Sequence, residues 1–158
     1  MSAVVLLDDR SEFEQRAAVI AWARTWLGTP WRHRAGIKGE ACDCAHFLLR
    51  SFQEAGVVEP SFNPPQYSRS WFVHQDEEVF LRWVVEYFHC VERPMAEAQP
   101  GDVILYRIGR CYAHCAILIE PKLVMHAFAK NGQVIYSETF DTELSSRQPR
   151  AFDPWGAR

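Results

Sequence analysis

The sequence of 158 residues has no apolar run that approaches the roughly 20 residues needed to cross a bilayer. It has no excess of basic residues either, because Lys and Arg number 17 against 20 Asp and Glu, a formal net charge of −3. Proteins that coat nucleic acid carry a basic stripe, so we expect no nucleic-acid partner. The N-terminal stretch MSAVVLLDDR lacks the basic start of a signal peptide. We therefore expect no signal peptide, no membrane insertion and synthesis in a cytoplasm.

Other familiar signatures are missing too. The sequence contains no P-loop, no Gly-x-Gly-x-x-Gly, no internal repeat and no pair of acids placed as in a glycosidase. Its composition is that of a packed globular protein, with 48% hydrophobic and 13% aromatic residues. A chain of this length typically forms one domain, and we assign residues 1–158 to it.

Cysteine occurs in an odd number, without an export signal. This combination argues against a disulfide framework. The thiols are then buried structural groups, metal ligands or a nucleophile; they are Cys42, Cys44, Cys90, Cys111 and Cys115. Their Cys-x-Cys and Cys-x-x-x-Cys spacings differ from the Cys-x-x-Cys knuckles of structural zinc sites, so we expect no metal ion and no other cofactor.

Helices are predicted in the N-terminal half. Ser11 and Glu14 form a capping box, and apolar residues follow it at helical spacing, namely Phe13, Ala17, Ile20, Ala21 and Leu27. A second helix begins after Asp43, a good N-cap residue, and ends at Gly56. A third helix is predicted over 76–88, after an irregular loop over 57–72 that is rich in proline and aromatic residues.

Beyond Pro100-Gly101 the pattern changes to short strands rich in β-branched and aromatic residues. Strands are predicted over 102–108, 112–119, 123–128 and 133–137, and Asn131-Gly132 is a strong hairpin signal. Helices that precede an antiparallel sheet indicate an α+β fold.

Cys44 is the candidate nucleophile, because it opens the second helix directly after Asp43. The positive end of a helix dipole favours a thiolate. His114 and His126 lie on neighbouring predicted strands, where antiparallel pairing can bring them side by side. One imidazole can take the thiol proton while a second polar group orients it, as thiol peptidases require. The alternative is that all three are ordinary core residues.

Several motifs together resemble those of the NlpC-type cell-wall cysteine peptidases, a compact branch of the papain-like superfamily. They are Trp-Leu-Gly-Thr-Pro-Trp over 26–31, Cys42-Asp43-Cys44 at a helix start, Pro100-Gly101-Asp102-Val103 before a strand, His-Cys-Ala-Ile from His114, and His126-Ala127. The resemblance covers about residues 15–155. It implies a papain-like α+β fold, with N-terminal helices packed on a C-terminal antiparallel sheet. It also implies that Cys44 is the nucleophile, His114 the general base and His126 the orienting residue.

The resemblance further implies a substrate and a setting. The expected substrate is an anionic stem peptide of peptidoglycan, hydrolysed without a cofactor. Trp31, Arg34 and Asp43, close to the nucleophile in sequence, are the residues expected to bind it. A subgroup encoded in phage tail modules and gene transfer agents is more similar still, through the Gly-x-x-Cys-Asp-Cys motif over 39–44. That likeness implies synthesis in a bacterial cytoplasm and assembly with phage tail-tip or baseplate proteins.

Two departures from the family pattern keep alternatives open. Ala45-His46 follow the nucleophile, where the family often has Gly, and Trp31 stands where many members have Tyr, so a hydroxyl is lost. The alternative functions are a structural tail-tip module of the same fold with little or no activity, and a thiol amidase or acyltransferase.

Overall fold

The structure is a computed structural model that describes residues 8–157. The expectation that the N-terminus is no signal peptide falls mostly on residues 1–7, outside the described residues. The helices in this range are α1 (Glu12–Arg24), α2 (Cys44–Glu54), α3 (Trp71–His74), α4 (Val79–Arg82) and α5 (Thr142–Ser145). The strands are β1 (Gly36–Ile37), β2 (Ala41–Cys42), β3 (Val91–Arg93), β4 (Val103–Ile108), β5 (Cys111–Glu120), β6 (Leu123–Phe128), β7 (Gln133–Glu138) and β8 (Arg150–Asp153).

The larger sheet has six antiparallel strands in the order β3-β8-β4-β5-β6-β7, and β1 pairs with β2 in a small hairpin. Strands β4 to β7 are the four that the sequence predicts, and the α+β order is confirmed. A 3-10 turn over Ala129–Asn131 joins β6 to β7 and ends at Gly132, whose φ of 71° suits glycine. None of the helices in residues 8–157 is long and apolar enough to cross a membrane.

The two faces of the larger sheet are covered differently. Helices α1 to α4 pack on one face, where α2 and residues such as Leu105 and Ile117 form the main core. Alternation along the strands turns their neighbours, such as Leu118, to the other face, where Leu144 of α5 joins a smaller core. The start of α2 is therefore fixed against the sheet.

The first helix begins as predicted, but its buried face is a different one. Ser11 Oγ accepts the Glu14 N–H at 3.2 Å, and the Glu14 carboxylate accepts the Ser11 N–H at 2.7 Å, which confirms the capping box. The predicted apolar stripe is wrong as a buried face, since Phe13 is 81% exposed and Leu27, beyond the end of α1, is 52% exposed. The buried residues of α1 are instead Gln15, Arg16, Val19 and Ala23.

Ion pairing explains why a polar face of α1 is buried. The Arg16 guanidinium donates to Asp102 at 2.8 Å and to Asp153 at 2.6 Å, and it lies 4.4 Å from the centroid of the Trp155 ring. A charge can be buried when it is paired and fully hydrogen-bonded. These contacts attach α1 to the start of β4 and the end of β8.

The third predicted helix is shorter than expected and irregular. It begins at Val79 rather than at 76, and after one α-helical turn it widens into a π-helical turn over Trp83–Tyr87. The acidic stretch before Val79 is used elsewhere, because the Glu78 carboxylate accepts the backbone N–H of Tyr112 at 2.8 Å. This contact joins the stretch to β5.

Candidate active site

A cleft of about 280 Å³ opens beside the start of α2 and the facing ends of β5 and β6. The segment around α3 forms a further wall. Of the site residues singled out from the sequence, the cleft is lined by Trp31, Asp43, Cys44 and His114. Other residues that line it include His33, Tyr67 and Arg69.

Cys44 is the first residue of α2, as the sequence predicts. Its N-cap residue Asp43 is extended, with φ −103° and ψ 179°, and Asp43 Oδ1 accepts the N–H of His46 at 2.9 Å. That bond satisfies one of the donors that a helix start leaves free. The N–H of Cys44 has no acceptor within the described part of the chain. The thiol therefore lies beside a free N–H donor and the positive end of the helix dipole.

Three side chains surround this helix start and form what we call the cap cluster: Asp43, His46 and Tyr67. Asp43 Oδ1 lies 2.9 Å from His46 Nδ1, and Asp43 Oδ2 accepts the Tyr67 hydroxyl at 2.5 Å and the Arg34 N–H at 2.7 Å. Asp43 is only 3% exposed. Together with the bond from the His46 N–H, these contacts fill the acceptor positions of the carboxylate.

Hydrogen bonding decides the charge of the cap cluster. Burial raises the pKa of Asp43, but the bonds from His46 and Tyr67 outweigh it, so the pKa lies below its usual value. Burial first, and then the Asp43 carboxylate, raise the pKa of Tyr67. A protonated phenol thus donates to a charged carboxylate.

His46, the unusual residue after the nucleophile, does not line the cleft. Its side chain packs on Gly36 in β1, where an added Cβ would stand 3.1 Å from His46 Cβ. Because that contact is tight, a residue without a side chain suits position 36. His46 therefore connects the β1–β2 hairpin to the start of α2 and leaves the cleft open.

Two other thiols lie near Cys44. Burial, followed by the charges of Asp43 and Cys44, raises the pKa of Cys42 to about 12. The neighbouring Cys44 thiol, followed by burial, raises the pKa of Cys115 well above its usual value. Both groups stay protonated at neutral pH, and neither lines the cleft. Of these three thiols, Cys44 alone is placed to react with a molecule in the cleft.

Three polar side chains cross β5, β6 and β7 and form what we call the histidine row: His114, His126 and Ser137. His114 Nε2 lies 2.7 Å from His126 Nδ1, and His126 Nε2 lies 2.8 Å from Ser137 Oγ. The register pairs Leu118 with Val124 and His126 with Ile135. Neighbouring members of the row therefore do not lie directly opposite each other. Each is displaced by two residues along its strand, so the contacts are diagonal and lie on one face of the sheet.

Both histidines are buried, at 5% exposure for His114 and 0% for His126. Burial, with smaller effects of His126 and Arg147, lowers the pKa of His114 well below its usual value. Burial also lowers the pKa of His126 to about 4, against the opposing charges of Asp141 and Glu143. Both rings are neutral at pH 7, so each carries one N–H. Since His126 occupies Nε2 of His114, Nδ1 is the nitrogen left for the cleft.

Cys44 and His114 line the same cleft, but no hydrogen bond joins them within residues 8–157. Acid–base contacts in unliganded enzymes are often long and tighten when the substrate binds. In the same part of the chain, no group of three or more His, Cys, Asp or Glu is arranged to hold a metal ion. The cleft thus combines a thiol and a neutral imidazole, and a second imidazole, outside the cleft lining, holds the first.

The residues predicted to bind substrate are separated in space. Trp31 and Asp43 line the cleft, whereas Arg34 is exposed and absent from its lining. Arg34 has a left-handed φ of 59°, and its backbone N–H, rather than its side chain, bonds to Asp43. The Arg69 guanidinium does reach the cleft, 5.1 Å from the centroid of the Trp31 ring.

The sequence did not indicate Tyr67, Arg69 or Ser137. Tyr67 and Arg69 lie in the loop before α3, where the sequence has no periodic pattern that predicts which side chains turn inward. Ser137 could have been predicted from the sequence, because it lies in the strand after the one that contains His126. Counting the strand register from the Asn131-Gly132 turn places it near His126.

Comparison with known proteins identifies the family to which the chain belongs. A family model described as the NlpC/P60 family matches residues 28–151. No curated protein sequence matches the chain.

Solved structures share the fold at low sequence identity. The NlpC/p60 domain of the peptidoglycan hydrolase SagA is 18% identical, with a TM-score of 0.57 over 87% of this chain and 97% of that one. The peptidoglycan hydrolase RipB from Mycobacterium tuberculosis is 19% identical, with a TM-score of 0.62 over 94% and 68% of the two chains. A lipoprotein-like NLP/P60 protein from Staphylococcus aureus is 20% identical, with a TM-score of 0.62 over 97% and 44%. The predicted papain-like fold is confirmed, and the chain belongs to the NlpC/P60 family of cysteine peptidases.

Proposed function

We propose that the chain is an endopeptidase that hydrolyses an amide bond in peptidoglycan stem peptides. Cys44 is the nucleophile, His114 the general base and His126 the orienting residue. The observation that carries the proposal is the shared cleft, which Cys44 at the start of α2 and His114 line together. The contact between His114 and His126 supplies the third part that an activated nucleophile needs.

The reaction follows from the neutral state of the histidines. His114 Nδ1 takes the proton of Cys44 Sγ, and the thiolate attacks the carbonyl carbon of the scissile amide. That proton passes to the leaving amine as the C–N bond breaks, which leaves a thioester on Cys44. A water then gives a proton to His114 and attacks the thioester. The acid product leaves as the proton returns to the Cys44 sulfur.

The start of α2 stabilises the charge that develops on the carbonyl oxygen. The N–H of Cys44 has no acceptor within residues 8–157 and is therefore the natural oxyanion donor. Asp43 already accepts bonds from His46, Tyr67 and Arg34. We therefore assign Asp43 to the cleft wall that the substrate contacts and to the positioning of this donor.

The substrate class is supported by the relatives. SagA and RipB are described as peptidoglycan hydrolases. Stem peptides are anionic, and Arg69 brings to the cleft a guanidinium without an acidic partner in the described residues. The Trp31 ring supports that guanidinium through a cation–π contact. Because Arg34 is exposed outside the cleft lining, we assign the substrate carboxylate to Arg69.

The primary test is digestion of purified stem peptides and intact peptidoglycan, with products identified by mass spectrometry. The native protein is compared with Cys44→Ala and with Cys90→Ala, which removes a thiol that does not line the cleft. We expect cleavage to disappear in Cys44→Ala and to persist in Cys90→Ala. Cleavage that survives Cys44→Ala would overturn the assignment. A native protein that neither cleaves peptides nor alkylates at Cys44 would favour the inactive structural module.

A matched pair of arginine variants tests the substrate contact. Arg69→Gln should raise KM by about 10-fold with little change in kcat, since one charge-assisted hydrogen bond to the substrate is lost. Arg34→Gln removes a charge of the same kind outside the cleft and should leave KM unchanged. Equal effects of the two variants would contradict the assignment of Arg69.

We further propose that the peptidase is carried in the tip of a phage tail or a related particle, where it opens the wall locally during genome entry. The motif over 39–44 supports this setting. Mass spectrometry of purified particles should detect this chain, and antibody labelling should locate it at the tail tip. Its absence from purified particles of a strain that synthesises the chain would contradict this setting.

A further inference from the structure

The histidine row ends on a side chain that the proposed chemistry does not use. Ser137 is half-buried in β7, and its Oγ lies 2.8 Å from His126 Nε2. It does not line the cleft, so it cannot touch a substrate bound there. Its contact with the second histidine nevertheless connects it to the base through two short hydrogen bonds.

The positions of the protons along the row follow from counting donors and acceptors. To accept the thiol proton, His114 needs a lone pair on Nδ1, so its own hydrogen must lie on Nε2. That N–H donates to His126 Nδ1, which must therefore be an acceptor. The single hydrogen of neutral His126 is then on Nε2, and it needs an acceptor in turn. Ser137 Oγ is the atom at that position.

Other groups near the row do not supply this acceptor. Asp141 and Glu143 raise the pKa of His126, and Arg147 lowers that of His114, but within residues 8–157 none of them hydrogen-bonds a ring nitrogen. The rings of Tyr106 and Phe128 pack against His114, with centroids 5.9 and 4.9 Å from that of its ring, and the buried Tyr106 hydroxyl has no hydrogen-bond partner within residues 8–157.

We propose that Ser137 is a positioning residue that sets the tautomers of both histidines by accepting the N–H of His126. This inference rests on the proposed roles of Cys44 and His114. Without the hydroxyl, His126 can carry its hydrogen on Nδ1 and donate to His114 Nε2. The hydrogen of His114 then moves to Nδ1, where it faces the cleft, and the base has lost the lone pair that accepts the thiol proton.

The test compares Ser137→Ala with Ser137→Thr, which keeps the hydroxyl, and with Tyr136→Phe. The last variant removes a neighbouring hydroxyl, whose partner is Arg24. We expect Ser137→Ala to lower kcat about 10-fold at unchanged KM, equivalent to about 1.4 kcal/mol and in the range of one hydrogen bond. Ser137→Thr should recover native kcat to within about two-fold, and Tyr136→Phe should not change it.

A second readout does not depend on activity. Nitrogen-15 NMR of the imidazole rings should find both His114 and His126 with hydrogen on Nε2 in the native protein, and a mixture of tautomers in Ser137→Ala. Native tautomers in Ser137→Ala, or an unchanged kcat, would overturn the inference. If the native protein does not cleave stem peptides, the proposed function fails, and the tautomer measurement still decides the role of Ser137.

Discussion

The cap cluster and the histidine row are two polar groups of three side chains beside one cleft, each with buried side chains at its centre, and they differ in charge. The cap cluster is centred on the charged Asp43 carboxylate, which His46, Tyr67 and a backbone N–H surround. The histidine row has no formal charge at pH 7, because burial keeps both rings neutral. A fully paired charge holds a helix start firmly, whereas only a neutral imidazole can accept a proton. The molecule thus separates the group that holds the helix start from the group that transfers the proton.

The largest expected effect is that of breaking the histidine row. His126→Phe should lower kcat by roughly 10³-fold, because His114 loses the partner that fixes its tautomer and orientation. The matched change in the cap cluster is His46→Gln, which keeps a polar group beside Asp43 and should cost less than about 10-fold. Steady-state kinetics on a stem peptide measures both variants. Equal losses would contradict the division between the group that holds the helix start and the group that transfers the proton.

The cap cluster should instead dominate stability. Asp43→Ala removes an N-cap residue and leaves the Tyr67 hydroxyl and the His46 N–H without their acceptor, so the free energy of unfolding should fall by about 3 kcal/mol. Asp43→Asn keeps an oxygen at the cap and should lose less than half as much. Urea unfolding of the two variants gives the comparison. A loss below about 0.5 kcal/mol in Asp43→Ala would show that the cluster does not hold the fold.

The smallest expected effect is the pH dependence of the free energy of unfolding, which differs between the histidine row and the cap cluster. The pKa of His126 is about 4 in the folded state, below its usual 6.5, so the unfolded chain binds more protons between these values. The free energy of unfolding should therefore fall by about 2 kcal/mol from pH 7 to pH 5 on account of His126, with His114 acting in the same direction. The pKa of Asp43 is lowered in the folded state. Protonation of the Asp43 carboxyl therefore removes stability only at pH values below its usual pKa of 3.8.

Two variants assign these pH windows. In His126→Phe, the loss of stability between pH 7 and pH 5 should become shallower, while Asp43→Asn should leave that window unchanged and flatten the curve below about pH 4. Unfolding in urea across pH 3–7 measures both. An unchanged slope above pH 5 in His126→Phe would mean that other groups carry the dependence.

Local signals in the sequence were sufficient for the centre of the site. Asp43 next to Cys44 at the start of an amphipathic stretch is a helix-capping pattern, and His114 and His126 lie in strands joined by a short turn. Each of these inferences needs only neighbours in the chain. The shared cleft lining of Cys44 and His114 needed the packing of α2 on the sheet, which the family resemblance implied and spacing alone could not give.

Other features escaped the sequence for physical reasons. The burial of Arg16 depends on ion pairs with Asp102 and Asp153, which lie far from it in the chain. Strands β3 and β8 are short, and β8 lies between β3 and β4, so its partners are far away in the chain. Tyr67 reaches Asp43 from a loop without periodicity. In each case a long-range contact overrides the local pattern.

The position of β8 has a consequence during synthesis. As the ribosome makes the chain, Cys44, His114 and His126 have all emerged before residues 150–153, yet β8 must enter between β3 and β4 to complete the sheet. Pairing between distant strands is slow to form because loop closure precedes any gain from the contacts. A nascent chain that already carries every proposed catalytic residue therefore still lacks the strand that joins β3 to the rest of the sheet. We expect the peptidase to acquire activity only after β8 has paired with both β3 and β4.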